Sequence, residues 1–357
     1  MKRSGRASLS AWLILAYTLV IVYASVQPFS GWRLPPPEVY AFLTAPWPRY
    51  LTAGDIGLNV VAYLPFGALL FFALRPPLAA AFALALATAL GAALSLALES
   101  VQMFLPTRIA SNVDLIANTF GAAIGALVAL LTDLSNNPLA PLRARLVRPG
   151  RIGDWGLVIV ALWILVQFHA STVALGTGNW RDTFGFTAGF MHSSQAYLLS
   201  EAAIVALTLT GLGLLVSLLI THRSAALRVL LLVLGLTAIA KSIAAAAIAR
   251  SGSWLQWVTP GVAAGIAAGT FAAGLFIWLP PRARAIAGLL CIAAAVITIN
   301  VMPENPYQTL PAYLSNVPPT HLANFSGIVR ILAQCWPLAA LMWLIAVLRA
   351  GPARHLR

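Results

Sequence analysis

Two segments of the chain read Asp-x-x-x-Asn and could supply paired polar groups to one site. Asp55 precedes Asn59, and Asp114 precedes Asn118. A spacing of four residues places both members of a pair on one face of a helix. A carboxylate beside an amide can bind a hydrogen-bonding ligand, and a carboxylate can also act as a general acid or base. Capping is the alternative, because an Asp at a helix N-terminus accepts backbone N–H groups and suits the helix dipole.

A second polar group lies between the two pairs. Glu99 and Gln102 are three residues apart and share a helix face, and Arg108 follows in a short connection begun by Pro106. Glu99 is near a helix C-terminus, where the dipole disfavours a carboxylate. We therefore expect Glu99 to need either Arg108 or a proton. A bidentate pair with an arginine would satisfy one acid.

These polar residues belong to a chain that is otherwise apolar. Of its 357 residues, 60% are hydrophobic and 9% are charged, and the mean hydropathy is +0.87. Soluble domains carry about 25% charged residues, whereas apolar runs of about 18 residues or more recur along this whole chain. The short alternating segments of a membrane β-barrel are missing. The sequence therefore predicts an all-α, polytopic integral membrane protein.

The hydropathy predicts about ten transmembrane helices. They are expected at residues 9–27, 56–74, 78–101, 113–132, 155–174, 199–220, 226–247, 259–279, 285–302 and 330–348. Lys and Arg are concentrated in alternate connections and at both ends of the chain, which predicts that both termini are cytoplasmic. The net charge of +13 is then a topology signal, and we predict no nucleic-acid partner.

A basic stretch containing Pro, Asn and Gly divides the chain at residues 133–154. We predict a four-helix membrane domain at 1–132, a cytoplasmic linker at 133–154 and a six-helix membrane domain of unknown role at 155–357. The arginines of the linker could contact anionic lipid headgroups, although a topology signal explains them more simply.

This topology would bring the polar groups of the first domain to the outer face of the membrane, where they would form a polar cleft. Pro65 removes a backbone hydrogen bond inside the second span, just before Gly67, and would kink that helix. Gly121 and Gly125 offer a close contact between helices. The predicted cleft residues are Asp55, Asn59, Glu99, Gln102, Arg108, Asp114 and Asn118.

In order and spacing these motifs resemble the VanZ-like membrane proteins, over about residues 10–132. The order is D-x-x-x-N, Y-x-P-F-G, E-x-x-Q-x-F-x-P-x-R and D-x-x-x-N-x-x-G-x-x-x-G. The resemblance implies a bacterial envelope protein without an agreed biochemical activity, in a family named for low-level teicoplanin resistance, and it supplies no catalytic role. The matching positions are Asp55, Asn59, Tyr63, Pro65, Phe66, Gly67, Glu99, Gln102, Phe104, Pro106, Arg108, Asp114, Asn118, Gly121 and Gly125.

Three functions fit these observations. The first is binding or modulation of an amphiphilic envelope component, such as a lipid, an envelope precursor or a lipoglycopeptide, at the cytoplasmic (inner) membrane. The second is a lipid or small-solute transporter, which predicts repeats and broken helices at mid-membrane. The third is an intramembrane acid–base enzyme. It is the least favoured, because the cluster has no His and the chain has no G-x-S-x-G motif or P-loop.

We predict no metal or cofactor and expect membrane lipids as partners, leaving the oligomeric state open. Four potential ligands on predicted outer loops, His192, His321, Asp182 and Glu304, match no metal-binding spacing. Residues 179–182 and 305–308 on the same loops could contact a sugar or headgroup. Anchoring of the loops is the simpler reading of those two stretches.

Overall fold

The computed structural model is built from α-helices. It describes residues 4–26, 31–35, 37–47, 53–75, 77–134, 139–168, 174–185, 193–248, 254–302 and 321–350. In these ranges the predicted all-helical class is confirmed, since they contain one isolated bridge, Val147 to Ile220, and no strand. The chain divides into two compact units, Met1–Leu139 with Pro318–Ile328, and Ala140–Val317 with Val329–Arg357.

Four long helices form the first unit. Its core is made of small residues around aromatic rings, and Phe71, Ala83, Ala87, Ala122 and Ala126 are fully buried. Small residues at facing positions let helices approach closely. In a membrane the lipid tails are as apolar as the side chains, so helices associate through close packing and not through the hydrophobic effect. The helices are α1 (Ser4–Val26), α2 (Ala53–Leu74), α3 (Ala80–Gln102) and α4 (Asn112–Leu134), with a 3-10 helix at Ala41–Leu43.

Helices α2 and α4 are in backbone contact through glycine. A Cβ atom built on Gly67, Gly121 or Gly125 would lie 2.7 to 2.9 Å from a carbonyl carbon of the opposite helix. Only glycine fits at these three positions. Such close approach of two helices typically brings Cα–H groups against carbonyl oxygens of the opposite helix. Helix α2 continues from Ala53 to Leu74 through Pro65, and the predicted kink stays a prediction.

The second unit is organised around one buried helix, α8. In the most apolar 18-residue stretch of α8, 78% of the residues are buried, whereas the same share is 28–39% in the other helices long and apolar enough to cross a membrane. Helices α10 and α11 pack against α8. The helices that lie wholly or mostly in this unit are α5 (Leu139–Leu146), α6 (Arg151–Val166), α7 (Arg181–Phe184), α8 (Ser194–Leu219), α9 (Arg223–Ile248), α10 (Pro260–Phe276), α11 (Pro281–Val301) and α12 (His321–Ala350), of which α12 enters the unit at Val329.

Each predicted span falls on one of these helices, but not all of the helices have the length of a span. Within the described residues, six are long and apolar enough to cross a membrane, and α6 has 16 residues. Multiple membrane-spanning helices are therefore supported, while the number ten and the cytoplasmic termini stay predictions. The six are Ala80–Gln102, Asn112–Asp133, Ser194–Leu219, Arg223–Ala245, Pro281–Val301 and Val329–Ala350.

The predicted linker at 133–154 contains more structure than its composition indicated. Helix α5 lies within it, and α6 begins at Arg151 and ends earlier than predicted, at Val166. The Arg148 N–H donates to the Leu219 carbonyl at 2.8 Å, so the stretch is tied to the end of α8, where the last carbonyls of a helix need donors. The three-part domain division itself stays a prediction.

Candidate functional site

Polar side chains converge where α3 ends and where α2 and α4 begin. Glu99 and Gln102 are 3% exposed, Asp114 and Asn118 are 6% exposed, and Arg108 is 8% exposed. These residues are interior groups, so the predicted opening of a cleft around them stays a prediction. The side chain of Asp55 lies outside the described residues. We call the remaining six the polar cluster: Asn59, Glu99, Gln102, Arg108, Asp114 and Asn118.

The two Asp-x-x-x-Asn motifs are joined directly. Asn59 Nδ2 donates to Asp114 Oδ1 at 2.7 Å and links α2 to α4. A capping role for Asp114 is less favoured, because Ser111 already caps this helix. The Val113 N–H donates to Ser111 Oγ at 3.2 Å, one residue before α4 begins at Asn112. The carboxylate of the second motif therefore bonds the amide of the first across two helices.

The partners of Glu99 lie in the connection that precedes α4. The Ser111 N–H donates to Glu99 Oε2 at 2.8 Å, which places the carboxylate at the positive end of the α4 dipole. Arg108 is also within electrostatic reach of Glu99. Burial lowers the pKa of the Arg108 guanidinium, and the Glu99 carboxylate opposes that shift. The sequence predicted the arginine but not the second helix end.

Two members of the cluster bond the end of α1. Arg108 Nη2 donates to the Ala24 carbonyl at 2.8 Å, and Gln102 Nε2 donates to the Ser25 carbonyl at 3.2 Å. Helix α1 ends at Val26, so these carbonyls belong to its last turn, which has no intrahelical donors. The cluster thus connects all four helices of the unit.

Ser95 and Tyr63 extend the cluster inwards. Asn118 Nδ2 donates to Ser95 Oγ at 3.0 Å, and the Tyr63 hydroxyl lies beside Ser95 and near Glu99. Sequence reasoning missed Ser95 as a site residue, although it is four residues before Glu99 and therefore on the same face of α3. Ser111 was missed as well, because a serine before a helix is more simply explained as a cap.

Three buried polar atoms of this region have no hydrogen-bond partner among the described residues. They are the Tyr63 hydroxyl oxygen, Gln102 Oε1 and Asn118 Oδ1. A buried polar atom without a partner costs about 1–3 kcal/mol. Two of the three are amide oxygens, which only accept hydrogen bonds. Together with two carboxylates and one guanidinium, they leave the region with more acceptors than donors.

Residues 10–133 match the family model described as VanZ/LLP1. This part of the chain is VanZ-like. The match covers about a third of the chain and contains the whole polar cluster. The helices from α5 onwards lie outside it. Comparison with curated proteins and with solved structures gives no match.

The predicted loop site in the second unit is tied to neighbouring helices. The Trp180 backbone N–H donates to Asn300 Oδ1 at 2.8 Å, its indole N–H donates to the Gln334 carbonyl at 3.1 Å, and Gln334 Nε2 donates to the Asn179 carbonyl at 3.1 Å. These bonds favour anchoring over ligand binding. His192, Glu304 and residues 305–308 lie outside the described residues, as do the side chains of Asp182 and His321.

Proposed function

We propose that the VanZ-like part of this chain binds the headgroup of an amphiphilic envelope component in the cytoplasmic membrane of a bacterium. In that role it would modulate sensitivity to a lipoglycopeptide such as teicoplanin. The observation that carries the proposal is the pair of buried amide oxygens, Gln102 Oε1 and Asn118 Oδ1, that have no hydrogen-bond partner among the described residues. Polar groups within a membrane domain are expensive and usually functional, and a ligand would supply the missing hydrogen bonds.

The balance of donors and acceptors indicates the chemistry of the ligand. Glu99 and Asp114 bring carboxylates, Gln102 and Asn118 bring free amide oxygens, and Arg108 is the cation of the cluster. Such a site selects a headgroup rich in O–H and N–H donors, such as a sugar, a peptide or an ammonium group. Lipid-linked envelope precursors and lipoglycopeptides carry these groups next to an acyl chain.

The connections around the cluster supply an apolar rim. Trp32 is 52% exposed, Leu34 91%, Trp47 69% and Ile109 84%. Tryptophan and aliphatic side chains at this level suit the boundary between headgroups and acyl chains. The first of these connections is also bonded to the start of α4, since Asn112 Nδ2 donates to the Ala45 carbonyl at 2.7 Å. An amphiphile could therefore contact the rim with its chain and the cluster with its headgroup.

The test compares alanine variants of Arg108 and Asp114 with matched surface controls. Arg75→Ala and Asp133→Ala remove the same charges from partly exposed positions of the same unit, at the ends of α2 and α4 opposite the cluster. Teicoplanin sensitivity of expressing cells and binding of labelled teicoplanin to the purified full chain in nanodiscs are the readouts. Loss of a charge-assisted hydrogen bond costs about 1.5–3 kcal/mol, so Arg108→Ala and Asp114→Ala should weaken binding about tenfold or more, while the controls stay at wild type.

Tyr63→Phe separates binding from folding. The hydroxyl lies beside Ser95 but makes no hydrogen bond of ordinary geometry with the described residues, so its removal should change the stability of the protein little while weakening ligand binding. The proposal fails if three variants all bind teicoplanin and affect the teicoplanin sensitivity of cells as wild type does. These variants are Tyr63→Phe, Arg108→Ala and Asp114→Ala. Net movement of a labelled lipid across proteoliposomes, lost in the same variants, would favour a transporter instead.

A further inference from the structure

An apolar groove runs along the second unit between α9 and α10. Its volume is about 950 Å³, within the range of pockets that hold small-molecule ligands. Side chains on one face of α9, including Leu227 and Leu231, form one wall, and side chains of α10 form the other. Phe271 and Leu275 on that second wall are 75% and 59% exposed. The groove has the apolar lining that suits an acyl chain.

One end of this groove carries a guanidinium group. Trp278 lines the groove just beyond α10, and Arg223 Nη1 donates to its carbonyl at 3.1 Å. Arg223 is the first residue of α9 and lies four residues before Leu227, so it continues the face that lines the groove. A guanidinium has five N–H donors, and this hydrogen bond uses one of them.

A second guanidinium lies close to the first, in the interior. Arg284 on α11 is 1% exposed, and its Nη1 donates to the Ser217 carbonyl at 2.9 Å and to Ser217 Oγ at 3.2 Å. These bonds cap the last turn of α8, but Arg284 Nε has no partner among the described residues. Arg223 is near enough to Arg284 to repel it. Positive charge in the interior near Arg223 favours an anion beside Arg223, which is the more exposed of the two arginines.

The described carboxylates of this unit are engaged elsewhere. Asp154 forms a salt bridge with Arg143. Glu201 Oε2 accepts a hydrogen bond from Thr259 Oγ1 at 2.6 Å, and Thr259 caps the opposite end of α10 from Trp278. An anion beside Arg223 is therefore expected from a ligand rather than from these side chains.

We propose that the groove binds an anionic phospholipid, with its phosphate on Arg223 and an acyl chain along α9 and α10. Arginine guanidinium groups bind phosphate through paired N–H donors, and basic pockets beside membrane helices recognise anionic headgroups. The site lies outside the VanZ-like region and is independent of the function proposed for it. On the predicted topology the lipid comes from the inner leaflet.

The binding test uses the purified full chain in dodecyl maltoside and native mass spectrometry. The probes are dioleoyl-phosphatidylglycerol, dioleoyl-phosphatidylcholine and inorganic phosphate. Arg223→Gln removes the guanidinium at the groove, and Leu231→Trp fills it. The matched controls are Arg228→Gln, at an exposed arginine of α9, and Leu232→Trp, at an exposed position of α9 outside the groove.

The wild-type chain should bind phosphatidylglycerol about tenfold more tightly than phosphatidylcholine. Arg223→Gln should remove this preference, and Leu231→Trp should weaken the binding of both lipids. The two controls should bind both lipids like wild type. Equal binding of the two lipids, or equal behaviour of Arg223→Gln and Arg228→Gln, overturns the proposal. Two further results would overturn the proposal. One is binding of inorganic phosphate that Leu231→Trp leaves unchanged, and the other is a dimer that forms without lipid and that Leu231→Trp abolishes.

Discussion

Replacing Gly125 with Ala tests the backbone contact between α2 and α4. A Cβ atom there would overlap the Leu64 carbonyl oxygen and would lie 2.8 Å from the Leu64 carbonyl carbon and 3.1 Å from the Ala68 nitrogen. These atoms belong to the backbone, so no side chain can rotate away to relieve the overlap. The two helices must separate, and the 2.7 Å hydrogen bond between Asn59 and Asp114 must stretch with them.

The size of the effect follows from two opposing contributions. Overpacking of this kind costs about 1–3 kcal/mol, and the higher helix propensity of Ala returns up to about 1 kcal/mol. Gly57→Ala is the matched control on α2, because nothing lies within 4 Å of a Cβ at Gly57. We expect a net loss of about 1–2 kcal/mol for Gly125→Ala and a gain of up to about 1 kcal/mol for Gly57→Ala.

The assay is unfolding of the full chain in mixed micelles of dodecyl maltoside and sodium dodecyl sulfate, followed by far-ultraviolet circular dichroism. The free energy of unfolding of each variant is compared with that of wild type. If Gly125→Ala is as stable as Gly57→Ala, the helices do not touch through their backbones and the packing argument is refuted.

Three further substitutions can be measured by the same unfolding assay. Glu99→Ala leaves the buried Ser111 N–H without its acceptor at 2.8 Å and should cost about 1–3 kcal/mol; an unchanged free energy of unfolding would contradict the bond. Trp336→Phe removes an indole N–H that donates to a buried carbonyl at 2.9 Å, and should cost about 1–2 kcal/mol, whereas no change would contradict the bond. Arg75→Gln breaks a partly exposed salt bridge to Asp133 of 2.7 Å. It should cost at most about 1 kcal/mol and less at high salt, so an effect that is large and independent of salt would argue against this account.

The helical class and the positions of the helices could be predicted from the sequence because they depend on local properties. A long apolar run must form a helix in a membrane, since every backbone polar group needs a partner within the segment. The ends were harder to predict. Helix α6 stops at Val166, before its apolar run is finished, and α5 forms within a stretch that contains Pro and Asn. Contacts such as that of Arg148 with Leu219 decide those boundaries, and they join residues distant in the chain.

The candidate site was partly predictable for the same reason. The spacings of Glu99, Gln102 and Asn118 place them on helix faces, and an alternating topology brings their helix ends together. Ser95 and Ser111 gave no comparable signal, because serine is common in membrane helices and at caps. Their roles depend on which residue faces them from another helix.

By itself, the sequence determined that this chain is a helical membrane protein with a VanZ-like first third, since apolar length and motif order are properties of the chain alone. Tertiary structure decided what the polar residues do. Within α3, Glu99 lies near the helix C-terminus, where the helix dipole disfavours a carboxylate. Packed against the Ser111 N–H, it lies at the favourable end of α4. Electrostatics depends on distances through space, and those distances exist only once the helices have packed.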